Sequence, residues 1–224
     1  NAKFPFSLLK NNGNNTFEDV TIELGLYSPA PTQSAAWGDF NNDGWIDLFV
    51  AHENYPCQLF INEKGKFKEV SKKYGLNITT FAKGCVWGDI NNDGLIDLYF
   101  TGGMVFHKLY LNEGNFKFRD ITATAGVDGG YGFKTGVTMV DINGDGLLDI
   151  YLCKSMVNDP QYRKKMLYIN NGNLTFTEQA AAYGLDDSSY SSQAYFFDMD
   201  TDGDLDLYLV NHPWNQSEAN NLNV

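Results

Sequence analysis

One nine-residue pattern occurs four times in this chain and limits what it can become. Asp39-Phe-Asn41-Asn-Asp43-Gly44-Trp45-Ile-Asp47 returns as Asp89-Ile-Asn91-Asn-Asp93-Gly94-Leu95-Ile-Asp97 and as Asp141-Ile-Asn143-Gly-Asp145-Gly146-Leu147-Leu-Asp149. The fourth copy is Asp198-Met-Asp200-Thr-Asp202-Gly203-Asp204-Leu-Asp206, and the copies start 50, 52 and 57 residues apart. A fixed period of this length is the mark of a repeat architecture, in which each unit buries its apolar face against the next. Two further elements keep the register. Leu8-Leu-Lys-Asn11 recurs at Leu59–Asn62, Leu109–Asn112 and Leu167–Asn170, and Phe17-Glu-Asp-Val20 at Phe67–Val70, Phe118–Ile121 and Phe176–Gln179.

Short runs of β-formers follow each acidic copy: 48–50, 98–100, 150–152 and 207–209. Asn/Gly turns such as Asn12-Gly13-Asn14 separate the other two elements, which is hairpin chemistry because both residues tolerate positive φ. Four strands per unit of about 50 residues predict an all-β chain, a β-propeller of four-stranded antiparallel blades. The expected division is a half blade at 1–26, blades at 27–76, 77–127 and 128–185, and a half blade at 186–224. Either the two halves join into a closed four-bladed ring, or the chain is an excerpt of a longer propeller, the favoured reading. One helical turn is expected in each of 20–26, 70–76 and 121–127.

The acidic copies carry the chemistry. Oxygen side chains at positions 1, 3 and 5, Gly at 6 and a backbone carbonyl at 7 match the first half of a loop that wraps Ca²⁺. Here Asp at position 9 closes the set. The predicted ligands are Asp39, Asn41, Asp43 and Asp47 with the Trp45 carbonyl, and Asp89, Asn91, Asp93 and Asp97 with that of Leu95. They continue as Asp141, Asn143, Asp145 and Asp149 with Leu147, and Asp198, Asp200, Asp202 and Asp206 with Asp204. Carboxylates crowded in this way repel one another unless a cation lies between them. Up to four Ca²⁺ are expected. Mg²⁺ prefers fewer protein ligands, and zinc is disfavoured by a donor set without His or Cys.

The windows Trp37–Asp47 and Trp87–Asp97 resemble FG-GAP/VCBS repeats, the blades also found in integrin α-chains. With Asn11-Asn12-Gly13, Thr16–Thr21 and Gly25-Leu26, the whole unit is similar to the ASPIC/UnbV and cartilage-acidic-protein group. That resemblance implies extracellular, calcium-binding propellers used for adhesion or ligand binding, with more than four blades. Met139-Val140 and Phe196-Phe197 depart from it by replacing Trp-Gly before the loop.

Charge and composition bound the partners. The net charge is −12, which opposes contact with a nucleic-acid backbone or an anionic membrane surface. No apolar run reaches the ~18 residues of a membrane span. An extracellular protein or glycan is the expected partner, at the face opposite the acidic loops. An insertion lengthens the third unit: 18 residues separate Asp149 from Leu167, against 12 from Asp47 to Leu59, and it brings Lys154, Arg163, Lys164 and Lys165. His52, Tyr55, His107, Arg163, Lys164, His212 and Trp214 are the candidate ligand-binding residues. No nucleophile elbow, HExxH or phosphate loop is present, so no catalytic residue is assigned. The alternative is a propeller-fold polysaccharide lyase or hydrolase acting in a central funnel. Calcium sites of this kind fill only outside cells, so the chain is expected to be secreted, periplasmic-facing or on the surface. Cys57, Cys85 and Cys153 are expected to be free thiols.

Overall fold

The computed structural model describes residues 6–104 and 107–213. Each internal repeat folds into four consecutive antiparallel strands. The first comprises β3 (Thr32–Gly38), β4 (Asp47–Pro56), β5 (Gln58–Glu63) and β6 (Lys66–Glu69). The second comprises β7 (Thr79–Gly88), β8 (Asp97–Gly102), β9 (Lys108–Asn112) and β10 (Phe118–Asp120). The third comprises β11 (Phe133–Val140), β12 (Asp149–Ser155), β13 (Met166–Asn170) and β14 (Phe176–Glu178). Half units flank them: β1 (Leu9–Asn11) with β2 (Phe17–Asp19), and β15 (Ser191–Phe197) with β16 (Asp206–Asn211).

The units stand side by side through their first strands: β3 contacts β7, β7 contacts β11, and β11 contacts β15. The apolar core lies between successive sheets. Tyr99, Leu109, Ile150, Leu152 and Tyr168 join the second unit to the third, and Phe49, Leu59, Leu76, Leu98 and Phe100 join the first to the second. Fully burying each such side chain contributes roughly 1.5–3 kcal/mol. Glycine sets the spacing where units meet. A Cβ on Gly38 would fall 2.4 Å from Ile96 Cδ1, and one on Gly88 would fall 2.4 Å from Met139 Sδ.

Two features differ from the expectation. β4 runs past the end of β3 and pairs with β7 (Glu53↔Phe81, Tyr55↔Thr80, Pro56↔Thr79), so the first two units share one curled sheet. A helical turn forms at α1 (Ser71–Tyr74) and α2 (Thr122–Ala125), each closed by a left-handed glycine, but residues 21–25 make only hydrogen-bonded turns. The half units are separate two-stranded sheets, and among the described residues no ladder joins β1–β2 to β15–β16 to close a four-membered ring. Their apolar side chains are consequently exposed, as at Leu9, Phe17, Tyr195 and Tyr208. All three cysteines are free thiols. Among the described residues no helix is long and apolar enough to cross a membrane.

Candidate metal centre

Each acidic loop joins the first strand of its sheet to the second, and the first three share one hydrogen-bond plan. In the first, Asp39 accepts from the backbone N–H of Asp43 (3.1 Å) and of Gly44 (2.8 Å), and Asp43 accepts from Trp45 N–H at 2.8 Å. Asn41 Nδ2 donates to Asp43 Oδ2 at 2.9 Å. The second and third loops repeat these bonds through Asp89, Asn91 and Asp93 and through Asp141, Asn143 and Asp145. Gly44, Gly94, Gly146 and Gly203 all have φ between 84° and 96°, which L side chains avoid, and so permit the sharp turn.

The ninth residue anchors the loop to the sheet. Asp47, Asp97 and Asp149 are fully buried. Asp97 accepts from Ile90 N–H at 3.0 Å and Asn112 N–H at 2.7 Å; Asp47 does the same with Phe40 and Asn62, and Asp149 with Ile142 and Asn170. Burial pushes these carboxyls up, to about 6 for Asp47 and about 7 for Asp97, against the pull of those backbone bonds. Asp149 moves the same way for the same reason. The neighbouring loop carboxylates add to each rise.

The fourth loop is arranged differently. Asp198, Asp200 and Asp206 bring one carboxylate oxygen each within 4.8 Å of one another, the one such group among the described residues. Asp198 still accepts from Gly203 N–H at 3.1 Å, and Asp202 from Asp204 N–H at 2.9 Å. The donors are all oxygen, and each carboxylate oxygen has a second lone pair beyond its backbone bond. That chemistry suits a hard cation. In the first three loops the carboxylates are held by backbone N–H groups and do not form such a group.

Two sets of asparagines escaped the reading of the repeats. Asn42 Nδ2 donates to the Gly94 carbonyl at 2.7 Å, and Asn92 Nδ2 to the Gly146 carbonyl at 2.8 Å, tying each loop to the next. Asn112 Nδ2 donates to Phe40 O and Ile96 O, and Asn170 Nδ2 to Ile90 O and Leu148 O. The Leu-x-x-Asn element therefore ends on a residue that spans two units.

The candidate ligand-binding residues do not converge. His52 is fully buried and shares hydrogen bonds with Ser28, Thr32 and Gln58; burial lowers its pKa. His107 is fully buried, and among the described residues neither ring nitrogen has a hydrogen-bond partner. His212 is exposed, and its Nε2 shares a hydrogen bond with Ser155 Oγ at 2.9 Å. Among the described residues no hydrogen bond or ring contact joins any two of them. Arg163 turns inward, donating to the carbonyls of Ser188, Val157 and Asn158 and lying 4.0 Å over the Tyr190 ring. Lys164 pairs with Asp186, and Tyr55 stands exposed on β4. Trp214 lies outside the described residues.

Side-by-side antiparallel sheets with an acidic loop at one end of each define a β-repeat protein. FG-GAP-like repeat models match residues 5–50, 39–100 and 106–152, more than half of the chain, which belongs to that family. No curated protein matches it. The crystal structure of the V. cholerae biofilm matrix protein Bap1 aligns over 92% of this chain and 31% of its own, with a TM-score of 0.45 and 14% identity. This chain thus spans about a third of the length of that one.

Proposed function

We propose that this chain is a calcium-stabilised, non-catalytic binding or adhesion segment of a β-propeller that works outside the cell. The observation that carries this reading is the fourfold loop, with its oxygen-only donors and a buried Asp at position 9 in three copies. Asp39, Asn41, Asp43 and Asp47, with the Trp45 carbonyl, would hold one ion, and the equivalent residues of the other loops one each. Bound calcium supplies no reaction step here. It offsets the repulsion among loop carboxylates and fixes each loop on its sheet. Such sites bind at roughly 10⁻⁴–10⁻³ M in extracellular modules, so they fill outside cells.

Among the described residues β1 pairs only with β2 and β16 only with β15, and the apolar side chains of Leu9 and Tyr208 are exposed there, which fits half blades of a multi-bladed ring. An extracellular protein or glycan is the proposed partner, met by the face away from the loops. Thermal unfolding in millimolar Ca²⁺, in chelator and in Mg²⁺ tests the core of this reading. A Ca²⁺-specific rise in Tm that grows with free ion is expected by linkage. Equal Tm in calcium and chelator would reduce the loops to turns.

A further inference from the structure

Two tyrosines meet outside the sheets, at the end of the third unit away from its acidic loop. Tyr131 precedes β11, and Tyr162 closes a 3₁₀ turn, Pro160–Tyr162, in the lengthened connection between β12 and β13. Their ring centroids are 4.6 Å apart with the planes at 74°, an edge-to-face contact. Tyr131 is 61% exposed and Tyr162 37%. Tyr195 and Tyr208 are exposed too, but they lie within β15 and β16, on a sheet of the kind that packs against a following unit. The Tyr131–Tyr162 pair stands on connecting segments instead.

The backbone under both rings is fixed. Gly132 has φ of 118°, and a Cβ there would fall 2.2 Å from the Tyr162 carbonyl oxygen, so glycine lets the two segments touch. Buried Lys154 donates from Nζ to the Tyr131 carbonyl at 3.2 Å. Buried Arg163 donates to the carbonyls of Val157 and Asn158 in the same connection and of Ser188 in the next. Asp159 accepts from Gln161 N–H at 3.0 Å at the start of the turn. Burying cations is costly, and these two are spent on holding the segments that carry the tyrosines. A rigid aromatic pair loses little freedom when a ligand settles on it.

Size and charge narrow the ligand. The two exposures add up to about one tyrosine's surface, roughly 200 Å². A stable protein partner needs about 800 Å² on each side, whereas the face of a sugar ring or two is covered by such a patch. A cationic ligand would be opposed by Lys154 and Arg163 beside the rings. Both of those side chains already point to backbone carbonyls, which leaves no free charge for an anion. The phenol hydroxyls supply donors and acceptors for sugar hydroxyls.

We propose that Tyr131 and Tyr162 form a stacking platform for a neutral hexopyranose of a glycan, one with a ring face made of C–H groups. This rests on the reading of a glycan partner and not on the calcium loops, none of whose residues takes part.

The test is an NMR titration of the full chain, with labelled tyrosine rings, against methyl β-D-glucopyranoside, methyl β-D-galactopyranoside and tetramethylammonium chloride. A saturable shift of the Tyr131 and Tyr162 ring signals is expected with at least one sugar, with a Kd of roughly 1 mM for a ligand of that size. Tyr195 and Tyr208 should stay in place. Binding of one sugar alone assigns the ring configuration, and binding of both leaves it open; each supports the platform. Tyr131→Ala and Tyr162→Ala, at exposed positions, should each weaken binding about tenfold. The proposal is overturned without recourse to a variant if neither sugar gives a saturable shift, if all four tyrosines shift alike, or if tetramethylammonium binds more tightly than either sugar. Undiminished affinity in either folded variant overturns it as well. The Ca²⁺-dependent rise in Tm is read separately, so the platform can fail while the calcium reading stands, and the reverse.

Discussion

Asn42 and Gly94 lie 52 residues apart in sequence and are joined by a 2.7 Å hydrogen bond from side-chain amide to carbonyl. Asn92 repeats the link to Gly146, and Gly144, at the corresponding place in the third loop, has no side chain with which to continue it. Asn92→Ala should lower stability by about 1 kcal/mol. Gly144→Asn should raise it by a few tenths to about 1 kcal/mol, because Asn tolerates the left-handed φ of 72° and a Cβ there meets nothing within 4 Å. Urea unfolding of the two variants measures both; a neutral Asn92→Ala would show that the link adds nothing.

Gly88 offers a sharper contrast. Gly88→Ala places a methyl against Met139 Sδ and Leu148 Cδ1, at 2.4 and 2.8 Å. Overpacking of this kind costs about 1–3 kcal/mol. The midpoint of denaturant unfolding should fall accordingly, and Met139→Ala in the same chain should recover part of the loss by vacating the space.

Tyr74 is 3% exposed and its hydroxyl has no hydrogen-bond partner among the described residues. Tyr74→Phe removes an unsatisfied buried group while keeping the ring that packs edge-on against Phe40 at 5.1 Å. Stability should hold or rise, by up to about 1 kcal/mol. A loss of more than that would reveal a partner for the hydroxyl.

The pair at Lys134 and Lys154 predicts a pH dependence. The folded pKa of Lys154 is lowered to about 8 by burial and by Lys134 on β11, against the pull of Glu178 on β14 and Asp128 in the preceding loop. The unfolded chain therefore holds more protons between about pH 8 and the ordinary lysine value, and stability from this group rises with pH across that window. In chloride buffer, Lys154→Met should be more stable than wild type at pH 7, with the gap narrowing toward pH 10. Parallel pH profiles for the two chains would contradict this.

Much of this architecture is legible in the residues themselves. Period, strand order and loop chemistry all follow from the acidic repeat, since a Gly at position 6 and alternating oxygens allow few other conformations. What stays hidden is contact between units. Nothing local distinguishes Asn42 from Asn41, yet one reaches the next loop and the other turns back to Asp43. The basic insertion reads as a solvated, ligand-facing loop, whereas Arg163 is spent on three carbonyls of its own fold. His52 and His107 read alike as loop histidines. Only the packed structure separates one with three hydrogen-bond partners from one with none among the described residues.

The residue opposite the ninth loop Asp is Gly38 in the first sheet, Gly88 in the second, Val140 in the third and Phe197 in the fourth. In the first two, the neighbouring sheet presses directly onto that glycine. The series Gly, Gly, Val, Phe gives the array a direction. Its repeats are not interchangeable bricks: a copy of the second sheet set after the fourth would find an aromatic ring where it needs a bare backbone. Shuffling or duplicating repeats in this chain thus calls for trimming the joint as well as copying the unit.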